Sequence, residues 1–65
     1  MQYQANVNHA PIRTVGLNTI IYINTSDSNN VRFLVVEVIS YKNKRLIADC
    51  GNYKDAETYA YNNIK

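Results

Sequence analysis

Few residues of this chain have types and spacings that could do chemistry. It has one histidine, His9, and one cysteine, Cys50, and its later half carries the carboxylates Glu37, Asp49, Asp55 and Glu57. A general base or an activated nucleophile needs an orienting partner and a reacting group beside it. The sequence around His9 supplies neither, so His9 is expected to be exposed and without a catalytic role. A reactive thiol needs an electropositive surround, whereas the neighbour of Cys50 is Asp49, which favours a buried structural cysteine. Glycosidase and two-metal chemistry need converging carboxylates, and Asp55 and Glu57 are already explained as acids at a helix start. Gly16 and Gly51 are the only glycines and build no phosphate-cradling loop. No Cys and His set has metal-ligand spacing. The residues thus predict a protein that is not an enzyme, with no cofactor, no metal and no small-molecule substrate.

Two features suggest binding instead. Glu37 is a lone carboxylate in an apolar run, VRFLVVEVISY from Val31 to Tyr41. Such a charge is costly unless it is paired or reaches water. It either discourages sheet-to-sheet aggregation or makes a specificity contact within a partner interface. The second feature is the cluster Tyr41, Lys42, Asn43, Lys44, Arg45, where cations and an aromatic ring could meet phosphates and a base. Arg32 and Arg13 would extend that patch. The same cluster also reads as an ordinary solvated turn.

The elements that must position these residues are legible from composition. Leu17 to Thr25 (LNTIIYINT) and Val31 to Tyr41 are β-branched and aromatic and predict strands, with the polar turn Ser26 to Asn30 between them. A tight turn at Lys42, Asn43 and Lys44 leads to a third strand, Arg45 to Cys50, which Gly51 ends. If Asn43 and Lys44 form a two-residue loop, Tyr41 pairs with Leu46, Ile39 with Ala48 and Glu37 with Cys50. Pairing Tyr41 with Arg45 would instead oppose Glu37 and Asp49, which is destabilising. Asn52 to Lys65 predicts a helix, with Asn52 as N-cap and Asp55 three residues on in a capping-box-like arrangement. Tyr53, Ala56, Tyr59, Ala60 and Ile64 form its apolar stripe, and Tyr61 lies off it.

The fold class that follows is α+β: a three-stranded antiparallel β-meander followed by one C-terminal helix packed on one sheet face. Residues 17–65 form this single domain. Residues 1–16, where Tyr3, Ala5 and Val7 alternate, form an arm or a short N-terminal edge strand.

Both sheet faces would then be apolar. Ile20, Tyr22, Leu34, Val36, Val38 and Ile47 share one of them. Leu17, Ile21, Ile23, Phe33, Val35, Ile39, Tyr41, Leu46 and Ala48 share the other, together with Thr19 and Glu37. A helix over residues 52–65 is roughly 20 Å long and covers only one face, assigned here to the side without Glu37. The other face would need the N-terminal arm, a second copy or a foreign partner, because an open apolar patch usually marks an interaction site.

Bulk properties narrow the classes. Sixty-five residues lie near the lower limit for a self-sufficient core, and one cysteine allows no internal disulfide. The formal charge of +2 is mild for a nucleic-acid binder. The first apolar run, Thr19 to Ile23, is too late and too short for a signal peptide and too short to span a membrane. A free cysteine without export signal fits a cytoplasmic protein.

From Val31 onward the chain resembles the small β-β-β-α arm-binding modules at the N-termini of phage-type tyrosine integrases. The matching residues are Tyr53, Lys54, Asp55 and Ala56, after the hairpin turn Lys42 to Arg45. The resemblance covers about half the chain and implies a sheet followed by a helix, with DNA as partner. Those modules read DNA with a polar, basic sheet face, whereas both faces here are apolar, and no binding residues carry over. The small size and the abundance of Asn and Tyr also resemble phage and mobile-element proteins that block host defence proteins stoichiometrically. The leading expectation is therefore a small protein-binding inhibitor of phage or mobile-element type with an anti-defence role. It would act in the host cytoplasm and form a homodimer through its open sheet face. Its binding candidates are Phe33, Val35, Glu37, Ile39, Tyr41 and Tyr61. The alternatives are a nucleic-acid-binding module using Arg32, Lys42, Lys44 and Arg45, and a structural or accessory subunit.

Overall fold

Alternating β-branched and aromatic side chains draw the middle of the chain into extended structure, and short polar turns fold it back on itself. The computed structural model describes Tyr3 and residues 7–64. Its elements are β1 (His9–Val15), β2 (Thr19–Asn24), β3 (Arg32–Val38), β4 (Lys44–Cys50) and α1 (Tyr53–Asn63). The strands form one antiparallel sheet in the order β1-β2-β3-β4. The α+β meander with a C-terminal helix is as expected, and the sheet has four strands rather than three, the added one being an N-terminal edge strand at His9–Val15; the alternation expected through Ala5 lies outside the described residues. The added strand contains Pro11, which removes a backbone donor and reads as a strand breaker. An edge strand tolerates it because one side of its backbone has no strand to pair with. A bulge at Ile12, between the pairs Pro11–Tyr22 and Arg13–Ile21, absorbs the irregularity.

The turn between β2 and β3 forms from local chemistry, as its composition predicts. The Asn24 side chain accepts from the Ser26 backbone N–H at 2.9 Å, and Asp27 accepts from that of Asn29 at 3.0 Å. The β3–β4 hairpin differs from expectation. Its register pairs Glu37 with Arg45, Val36 with Leu46 and, beyond a bulge at Ile47, Val35 with Ala48 and Phe33 with Cys50. β3 therefore ends at Val38, and Ile39 and Tyr41 lie in the loop. The expected register avoided a clash of acids but left Glu37 without a cation. The observed one gives Glu37 the Arg45 guanidinium at 2.8 Å. The bulge then restores Ala48 and Cys50 to the same side as Val35 and sends Asp49 to the opposite side, where it meets Arg32 at 2.9 Å. For the same reason Leu46 and Ile47 exchange the faces assigned from strict alternation.

The helix packs on the face that carries Glu37, contrary to the assignment from sequence. Ala56 and Ala60, both fully buried, let α1 approach Val15, Ile21, Val35 and Cys50 closely. The carboxylate is no obstacle there, because Asn63 at the end of α1 donates to Glu37 Oε2 at 3.3 Å and to the buried Thr19 Oγ1 at 3.0 Å. Asn52 caps the helix as expected, accepting from the Asp55 N–H at 2.8 Å. Tyr59, expected in the core, is half exposed, since the two alanines define the buried line.

The opposite face carries a second core of Tyr22, Leu34 and Val36, with Tyr3 from the N-terminal segment packed on it. The Tyr3 ring lies 5.2 Å from that of Tyr22, its hydroxyl is 2.8 Å from His9 Nδ1, and its backbone N–H donates to the Lys44 carbonyl at 2.9 Å. His9 is thus a half-buried partner of Tyr3 and not a free, exposed histidine.

Candidate functional site

Four of the exposed large apolar side chains, Leu17, Ile39, Tyr41 and Ile64, lie at one end of the sheet, while Val7, 98% exposed, lies at the other. Because β2 and β3 run antiparallel, the turn joining β1 to β2 lies beside the loop joining β3 to β4. The Val38 N–H ties them by donating to the Asn18 carbonyl at 2.7 Å. Leu17 follows Gly16 in the first turn and is fully exposed. Ile39 and Tyr41 project from the second loop, 62% and 92% exposed. Ile64, just beyond α1, reaches the same corner and is 42% exposed.

Local bonds hold both loops. In the first, Gly16 has φ +68, a left-handed conformation, and a Cβ there would meet Ile64 Cδ1 at 3.0 Å. In the second, the Asn43 N–H donates to the Ser40 carbonyl at 3.1 Å, and the Asn43 carbonyl accepts from Ile39 at 2.9 Å and Ser40 at 3.0 Å. This closes a turn with Tyr41 and Lys42 at its tip. Exposed apolar residues on loops that are bonded in place lose little freedom on binding.

The residues singled out from sequence divide accordingly. Ile39 and Tyr41 belong to this end. Phe33 and Val35 do not form an open face, because the helix lies over them and Val35 is fully buried. Glu37 sits beneath the end of α1, held by Arg45 and Asn63. Tyr61 is half exposed, with its hydroxyl and ring against Arg13 of β1. Sequence reasoning assigned Leu17 to a sheet face and did not single it out; its signal was its position directly after Gly16 in a short turn.

The basic patch is not assembled. Arg32 is held by Asp49 near the far end of the β3–β4 hairpin, five residues along β3 from Glu37, or roughly 17 Å. Arg45 is held by Glu37. Only Lys42 and Lys44 remain beside Tyr41, and neither side chain has an ion pair among the described residues. The carboxylates are equally dispersed: Glu37 on Arg45, Asp49 on Arg32, Glu57 on Arg13, and Asp55 at the helix cap. Among the described residues no group of His, Cys, Asp and Glu could hold a metal ion, and no pocket is present. No helix of the described residues is long and apolar enough to cross a membrane. Burial, together with Asp55 and Asp49, pushes the Cys50 thiol above its ordinary range and disfavours the nucleophilic thiolate.

Arg13 has a role that sequence reasoning did not find. From β1 it reaches across to α1, donating to the Tyr53 hydroxyl at 3.0 Å, to the Tyr61 hydroxyl and to the Glu57 carboxylate. Its guanidinium carbon also lies 5.4 Å from the centre of the Tyr61 ring. The Tyr53, Glu57 and Tyr61 spacing of four residues was the available signal, since it places all three on one helix face.

Comparisons with protein-family models, with curated proteins and with solved structures found no match for this chain.

Proposed function

We propose that this protein is a non-catalytic binding domain that docks a protein partner through the loop end carrying Leu17, Ile39 and Tyr41. The observation that carries the reading is the exposure of Leu17 and Tyr41, 101% and 92%, on two loops bonded side by side. Exposed single apolar residues are ordinary, but a cluster of large ones on a small domain marks an interaction site. Tyr is also among the residues enriched at protein interfaces. The domain supplies a shape and not a reaction, so it acts stoichiometrically, by occluding or locking its partner. Its phage or mobile-element character and an anti-defence target are part of this proposal and rest on the analogy of size and composition. The sheet face expected to drive a homodimer lies under α1, so this reading needs no second copy.

The test is affinity capture from a bacterial lysate with the tagged full chain, beside Leu17→Ser and Tyr41→Ser. Specific capture lost in both variants, with unchanged melting temperature, supports the reading. Capture indifferent to both substitutions overturns it. The nucleic-acid alternative retains Lys42 and Lys44 next to Tyr41. It predicts binding that falls by about one decade per decade of salt for each phosphate neutralised, whereas apolar docking is nearly insensitive to salt.

A further inference from the structure

The charge around the loop end specifies what the partner surface carries. The arginines among the described residues, Arg13, Arg32 and Arg45, are each matched by a carboxylate within the fold. Lys42 and Lys44 are not: Lys42 shares the tip of the turn with Tyr41 and Lys44 follows it, while Lys54, also without an ion pair among the described residues, lies beside Asp55 in the first turn of α1. The carboxylates without an arginine partner among the described residues, Asp27 and Asp55, lie at the other end of the sheet. Asp27 is in the loop after β2, and Asp55 is in the first turn of α1 just beyond β4. The loop end therefore presents an apolar centre of Leu17, Ile39 and Tyr41 with an uncompensated positive edge, because Glu37 and Arg45 cancel one another.

We infer that the partner surface is a protein groove, apolar at its centre and acidic at its rim, with Leu17 and Tyr41 as anchors and Lys42 and Lys44 facing rim carboxylates. The inference rests on the binding surface proposed above and adds the chemistry of the partner. Buried apolar anchors supply most of the affinity in such contacts. Rim charges set orientation, approach rate and rejection of wrong partners. A protein groove fits better than nucleic acid because two lysines are a small phosphate footprint, and the three arginines of the sheet that could enlarge it are held by acids. It fits better than a lipid surface because the apolar residues stand on two separate bonded loops and do not form one amphipathic helix face.

The experiment selects peptides from a random library on the immobilised full chain and titrates the winners against wild type and variants. Selected peptides should pair aliphatic or aromatic residues with flanking Asp or Glu, and their binding should be lost in Leu17→Ser and in Tyr41→Ser. Lys42→Glu combined with Lys44→Glu should weaken them roughly tenfold, as expected for two ion pairs at a solvent-accessible rim. A fresh selection on that double variant should yield flanking Lys or Arg. Lys42→Glu alone, at an exposed loop tip, should weaken binding in the same direction without the half-buried Lys44 being changed. Circular dichroism checks that each variant is folded. Peptides that need Leu17 and Tyr41 but show no acidic preference would overturn this inference and leave the binding surface standing. Absence of any ligand that depends on Leu17 or Tyr41 would overturn both. Stronger binding to phosphatidylcholine–phosphatidylglycerol vesicles or to duplex DNA than to any selected peptide would also overturn the inference, assigning the end to lipid or to nucleic acid.

Discussion

The side-chain amide of Asn63 donates to both Thr19 Oγ1 and Glu37 Oε2, at 3.0 and 3.3 Å, and so pins the end of α1 to the sheet face that carries the acid. Thr19 is fully buried. Asn63→Ala leaves its hydroxyl without this partner, and an unmet buried hydroxyl costs about 1–3 kcal/mol. Urea unfolding should show a loss of that size. Glu37→Gln should cost less, because its amide oxygen can still accept from Asn63 and only the exposed ion pair with Arg45 is weakened.

Gly16 is constrained twice, by a φ of +68 and by Ile64 Cδ1 at 3.0 Å from where a Cβ would stand. Gly16→Ala should destabilise the fold by about 1–2 kcal/mol from the left-handed conformation alone. Trimming the neighbour, in Gly16→Ala with Ile64→Ala, should recover none of that backbone strain. Full recovery in the double variant, measured by urea unfolding, would assign the cost to packing instead.

The Arg13 contact joins the edge strand to the helix through a planar group with several donors. Lysine keeps the charge but cannot reach the Tyr53 and Tyr61 hydroxyls and the Glu57 carboxylate together. Arg13→Lys should therefore lower the melting temperature by nearly as much as Arg13→Ala. The Tyr53 hydroxyl accepts one of these bonds at 3.0 Å, so Tyr53→Phe should reproduce part of the loss. Equal stability of Arg13→Lys and wild type would show that charge alone matters.

Tyr3 gives the fold an alkaline limit. Burial, with a smaller contribution from Tyr22, pushes its hydroxyl from the ordinary 10.0 to about 12. Between those values the unfolded chain has released the proton and the folded chain still holds it. Unfolding thus releases a proton, and stability falls as pH rises through this window. Below pH 10 the contribution is fully present. Denaturation midpoints measured from neutral pH upward should decline beyond pH 10 in the wild type and decline less in Tyr3→Phe. Identical alkaline profiles would place the titration elsewhere.

What the sequence by itself determined is what neighbouring residues settle among themselves. The strands through Ile20 to Ile23 and Phe33 to Val36 follow from side-chain type, the turn at Asn24 to Asn30 from short polar side chains meeting nearby backbone, and the start of α1 from Asn52 and Asp55. Each of these involves groups only a few residues apart. The tertiary structure decided the rest, because the relevant partners are distant in sequence. Pro11 obscured the place and extent of the N-terminal strand, which tolerates it because it lies at the sheet edge. A bulge at Ile47 reversed the alternation that sequence reading extends without interruption. The side on which the helix lies was settled by Ala56 and Ala60 packing on Val15, Ile21, Val35 and Cys50, with Asn63 bonding Thr19 and Glu37 across 44 and 26 residues. Leu17 and Ile39, far apart along the chain, became neighbours only when Val38 bonded to Asn18. No local pattern encodes that bond, since it exists only once β2 and β3 have paired.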